Sequence, residues 1–72
     1  MRFHYHPDTD SLYIDLADRA GVDSREVATD VVIDLDVEGR VVGIEIHHAS
    51  NLVDLSRLDA ESLPVTHPTR GD

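Results

Sequence analysis

The sequence predicts an α+β domain: a four-stranded antiparallel sheet built from two β-hairpins, with a short C-terminal helical segment covering one face. Two stretches of period-two alternation, each folded about turn-forming residues, predict the hairpins. A change of apolar period after Ala49 predicts the helical segment.

In the first hairpin, Phe3, Tyr5, Leu12, Ile14 and Leu16 alternate onto one face, and Arg2, His4, His6, Tyr13 and Asp15 onto the other. Pro7 to Asp10 supply the turn, because proline pre-sets φ and aspartate tolerates tight backbone geometry. The apolar pattern sets the register. Tyr5 falls opposite Leu12 and Phe3 opposite Ile14, with His4 beside Tyr13 and Arg2 beside Asp15; a slip of one residue mixes the faces. Ala17 to Arg25 reads as a polar connector that turns at Gly21.

The second hairpin is expected from about Glu26 to Ala49. Val27, Val31, Ile33, Leu35 and Val37 alternate along its first strand, and Val42, Ile44 and Ile46 along its second. Glu38-Gly39 lies at the tip, where glycine takes the positive φ of a tight turn. Pairing Leu35 with Val42, Ile33 with Ile44 and Val31 with Ile46 gathers the aliphatic residues on one face. Asp30, Val32, Asp34, Asp36, Val41, Gly43, Glu45 and His47 then fall on the other. Gly43, inside a strand, marks a bulge or a close backbone contact.

After Ala49, the spacing of Leu52, Val53, Leu55 and Leu58 suits one or two short amphipathic helical turns. Ser56 and Asp59 compete as N-caps. Pro64 ends whatever precedes it, so residues 1–63 are read as one domain and 64–72 as a tail.

Composition bounds the functions. A chain of 72 residues buries only about 60% of its unfolded surface, so a lone core is marginal. With no cysteine, disulfides and thiolate metal sites are excluded, which leaves oligomerisation or imidazole and carboxylate ligation as supplements. Fifteen acidic residues against six scattered arginines give a net charge of −9. That balance argues against nucleic acid as a direct partner, since phosphate neutralisation needs a basic stripe. The N-terminus lacks the apolar run of a secretory signal, and no stretch approaches the roughly 18 apolar residues of a membrane span. A soluble cytoplasmic protein is the expectation.

Two groups of side chains invite a chemical reading. His4 and His6 form an H-x-H whose members sit ~6.6–7 Å apart on one strand face, and Glu45 and His47 form a matching E-x-H. With Asp15, Asp30 or Asp34 nearby, these nitrogen and oxygen donors suit a transition metal such as zinc, nickel, copper or iron. If the first and last strands are opposite edges of a meander, roughly three steps of ~4.8 Å separate the two pairs, too far for one ion. Asp30, Asp34 and Asp36 form an acidic cluster able to steer a basic protein partner. No serine sits in a glycine-framed elbow, no glycine-rich phosphate loop occurs, and a flat sheet offers no pocket in which to shift a carboxylate pKa.

The stretch Tyr5-His6-Pro7-Asp8-Thr9-Asp10-Ser11-Leu12-Tyr13-Ile14 resembles the opening of a small bacterial family, domain of unknown function 2283. That opening has tyrosine, an acidic residue, proline, two variable residues, aspartate, a small residue and Leu-Tyr-Ile. The likeness continues through Val31-Val32-Ile33-Asp34, the turn Glu38-Gly39-Arg40, Val41 to Ile46 and Ala49-Ser50, and so covers roughly Phe3 to Ser50. It implies a compact domain without assigned chemistry. His6 stands where the family is typically acidic, and His47-His48 where an aliphatic-acidic pair is common, so the resemblance implies no metal site. Taken together, the expectation is a non-enzymatic interaction module, a homo-oligomer binding a basic protein through its acidic face. The alternative is a protein that binds a metal or small ligand through His4, His6, Glu45 and His47.

Overall fold

Residues 1–64 are described by a computed structural model. The chain forms β1 (Arg2–His6), β2 (Ser11–Asp15), β3 (Asp23–Ala28), β4 (Val31–Leu35), β5 (Val41–Ile46) and a single helical turn, α1 (Ala49–Leu52). All strand pairs are antiparallel, and the sheet runs in the order β1-β2-β5-β4-β3. The tail expected over residues 64–72 lies, beyond Pro64, outside the described residues.

The first hairpin has the register its alternation requires, from Arg2 opposite Asp15 to His6 opposite Ser11. The second region differs from expectation: the described residues form five strands, not four. What reads as one alternating run from Val27 to Val37 is broken by a turn at Thr29-Asp30, so that Ala28 pairs with Val31. Asp30 takes φ 65°, a left-handed conformation that aspartate tolerates through local hydrogen bonding. Because β3 reaches back to Asp23, the polar connector is shorter than predicted.

Ile33 faces Ile44 and Val31 faces Ile46 as expected, but Leu35 pairs with Val41 and not with Val42. A bulge causes the shift: Val42 is the extra residue, and it is 3% exposed. Gly39 holds φ 82° at the β4–β5 turn, the conformation that makes glycine the favoured residue there.

The last strand is central. Placing β5 between β2 and β4 sends the connector after β2 across the ends of β5 and β4 to the far edge. On the way, Leu16 and Ala17 donate to the Val42 carbonyl of β5, and Val22 donates to the Leu35 carbonyl of β4.

The helix stops sooner than the leucine spacing suggests. After Leu52 the backbone extends, Val53 having φ −134°, and the Asp54 carboxylate takes the Ser56 amide at 3.0 Å. Such short aspartate-to-backbone bonds compete with helical ones. Leu52, Leu55 and Leu58 therefore remain exposed, and among the described residues only Leu35, Val42, Ile46 and Ala49 form a buried apolar core. No helix among the described residues is long and apolar enough to cross a membrane.

Candidate functional site

The sheet has an aliphatic face and a polar face, and the polar face carries the most developed side-chain geometry. Strand alternation sets Tyr13 and Asp15 of β2, Gly43 and Glu45 of β5, and Asp34 of β4 on that side. Gly43 decides how they meet. A Cβ there would lie 2.0 Å from the Tyr13 Oη, so the tyrosine side chain occupies the space that any other residue would fill. Tyr13 Oη thereby crosses β5 and donates to Asp34 Oδ2 at 3.0 Å, while Ser24 Oγ of β3 donates to Asp34 Oδ1 at 2.8 Å. One carboxylate thus ties three strands together. Burial, and then the bond to Asp34, push the Tyr13 phenol above its ordinary value.

The connector closes over this network and makes a cleft of about 590 Å³ between Tyr13, Asp34 and Ser24 on one side and Ala17 to Val22 on the other. Sequence reasoning took the sheet as open and missed it. The one signal was Gly43, a glycine inside a strand where backbone and ring must approach closely. Chemically the cleft is acidic, with Asp15, Asp18 and Asp23 at its walls. Asp34 accepts an internal hydroxyl on each of its oxygens, and the phenol is held in its neutral form.

Asp36 lies elsewhere. It is 6% exposed at the end of β4, where Oδ1 accepts the amides of Glu38 and Arg40 at 2.9 Å each. Oδ2 accepts Arg19 Nε at 2.8 Å and Arg40 Nε at 3.0 Å. The Arg40 amide above all, with the Glu38 amide and the two guanidinium groups, holds this carboxyl at about 2 against the cost of burial. Asp36 therefore fastens the connector and the β4–β5 turn to the sheet, its charge met within the fold. Asp30, the third acidic residue of the expected cluster, sits in the β3–β4 turn with Oδ2 3.2 Å from His48 Nδ1. Asp30, Asp34 and Asp36 thus occupy three separate environments.

The candidate histidines fall in two places that do not touch, β1 and the turn just after β5. His4 and His6 lie side by side on β1 with ring centroids 4.6 Å apart. His47 Nε2 lies 3.9 Å from Glu45 Oε1 at the end of β5. Because β2 intervenes, roughly two steps of ~4.8 Å separate these pairs, and the single chain does not bring the four residues together. Among the described residues, no group of three or more His, Asp or Glu is placed to hold a metal ion.

A further junction went unnoticed in the sequence. Asp10, at φ 54°, accepts Tyr5 Oη at 2.7 Å, Ser50 Oγ at 2.7 Å and the Ser50 amide at 3.1 Å, and its carbonyl accepts the Ala49 amide. The Ser50 and Tyr5 hydroxyls lower its pKa. This aspartate pins the start of α1 to the β1–β2 turn.

Residues 2–50 match the model of a protein family described as Protein of unknown function (DUF2283). Neither the curated proteins nor the solved structures contain a match to the chain.

Proposed function

The chain belongs to the DUF2283 family, whose description assigns no activity; from its own residues we propose that it is an interaction module that pairs with a second copy over its aliphatic sheet face. The exposure of that face carries the reading. Phe3, at 45%, Leu55, at 41%, and Leu58, at 70%, stand open to solvent beside the half-buried Leu12 and Ile14. Between β1, β2 and the segment after α1 runs an apolar groove of about 630 Å³. A soluble chain with so small a buried core gains most by covering such a surface.

Size indicates which residues take part. Five strands of about five residues give a face of roughly 24 × 17 Å, some 400 Å² on a flat footprint, whereas a stable interface takes about 800 Å² per partner. The sheet alone falls short, so Leu55 and Leu58, which line the groove, complete the contact. A self-complementary patch of this kind fits an isologous two-fold dimer, with the acidic polar faces turned outward and apart. Charge supports that arrangement, since each chain carries −9 and opposed polar faces would repel.

Sedimentation equilibrium at micromolar concentration, in the presence of a chelator, tests the proposal. The expected mass is twice the 8.0 kDa of one chain. Leu58→Glu, a change at an exposed position, is expected to return the protein to a folded monomer. A parent protein that remains a monomer throughout contradicts the proposal.

A further inference from the structure

We propose that the β1 edge carries a transition-metal site completed only when a second copy pairs along that edge, His4 and His6 of each chain supplying the four ligands. This contact is separate from the pairing over the aliphatic face. Three observations select β1.

The first is the state of the two sheet edges. β1 is an end strand, exposed at every residue and in unbroken register with β2. The opposite edge, β3, has a register break between Glu26 and Ala28 and carries Asp23, Arg25 and Glu26. Bulges and charges blunt an edge against pairing, and β3 has both. β1 has no bulge.

The second is charge. Two chains of −9 repel wherever their carboxylates meet. β1 reads Arg-Phe-His-Tyr-His and contains no acidic residue, so two copies can lie against each other there without opposing acids.

The third is the geometry of the imidazoles. Antiparallel pairing about a two-fold axis through Tyr5 sets His4 of each chain opposite His6 of the other. All four lie on the polar face, because residues directly opposite in a ladder share a face. Opposed Cβ atoms are about 4.5–5.5 Å apart, and within one chain the two rings already lie 4.6 Å apart, tilted by 45°. Zn–N bonds of about 2.0–2.1 Å place the rings on one tetrahedral ion at roughly 5 Å from centroid to centroid. One chain supplies two such rings and its partner the other two. A set of four neutral imidazoles suits zinc, copper or nickel.

Sedimentation with zinc against the same protein in chelator, at about pH 7.5, reads the site directly. Zinc is expected to raise the weight-average mass at least twofold over its chelator value, with one ion bound per two chains. The rise should weaken as the pH is lowered, because protons compete with the metal for imidazole. Joint replacement His4→Gln and His6→Gln is expected to leave the chelator mass unchanged and to remove the zinc response. Zinc that does not bind, zinc that binds without changing the mass, or a double variant that responds like the parent overturns the proposal. The chelator arm reports the aliphatic-face dimer independently, so failure of either reading is visible without the other.

Discussion

Replacing Gly43 with alanine tests how the polar face is built. The added methyl would lie 2.0 Å from Tyr13 Oη and 2.6 Å from Cζ, so the tyrosine has to swing off β5 and give up its bond to Asp34. A hydrogen bond to a charged acceptor contributes about 1.5–3 kcal/mol, and the lower end applies here because the pair is only part-buried. Against this, alanine in a strand interior gains about 0.5–1 kcal/mol over glycine in chain entropy. The net expectation is a loss of about 0.5–1 kcal/mol, or about 2–8 °C in Tm for a domain of this size. Urea unfolding at fixed protein concentration would measure it, in a cycle with Tyr13→Val, a strand-forming residue too short to reach across β5. In the valine background, Gly43→Ala is expected to be neutral or mildly stabilising. Strictly additive effects would refute the link between Gly43 and the position of Tyr13.

Two further outcomes follow from the carboxylates. Asp36 is held at about 2 when folded, against an ordinary value of about 3.9 when unfolded; it therefore favours the folded chain above about pH 4 and loses that contribution as pH falls toward 2. Asp36→Asn is expected to lower stability at neutral pH and to flatten the acid limb of a urea-against-pH series; an unchanged limb contradicts the placement of Asp36 between Arg19 and Arg40. In an alkaline absorbance titration, Asp34→Asn should bring the raised Tyr13 pKa part of the way back, since burial, the larger cause, remains. No movement would mean that the phenol does not donate to Asp34.

How much of this was legible in the sequence depended on whether the signal was local. The first hairpin was readable in full because alternation and a proline-aspartate turn agree on one register. The β3–β4 break was not, because Thr29-Asp30 lacks the glycine that usually announces a two-residue turn, and Val27 and Val31 fall into phase across it. The central position of β5 depends on long-range pairing with β2, which no local pattern encodes. The same limit hid the site. The His4, His6, Glu45 and His47 set was assembled by residue type, and strand order then divided it into two pairs. Asp36, legible as one more alternating aspartate, is buried because Arg19 reaches it from a connector 17 residues away in sequence.

Urea unfolding of the parent chain at two protein concentrations roughly a hundredfold apart most directly tests whether a second copy completes the core. If it does, the midpoint moves to higher urea at the higher concentration, by an amount equivalent to about 2–3 kcal/mol per dimer; in Leu58→Glu the shift disappears. A parent midpoint that does not depend on concentration, with a sedimentation mass of 8.0 kDa, would show that the aliphatic face is stable in water by itself and that the module does not assemble through it.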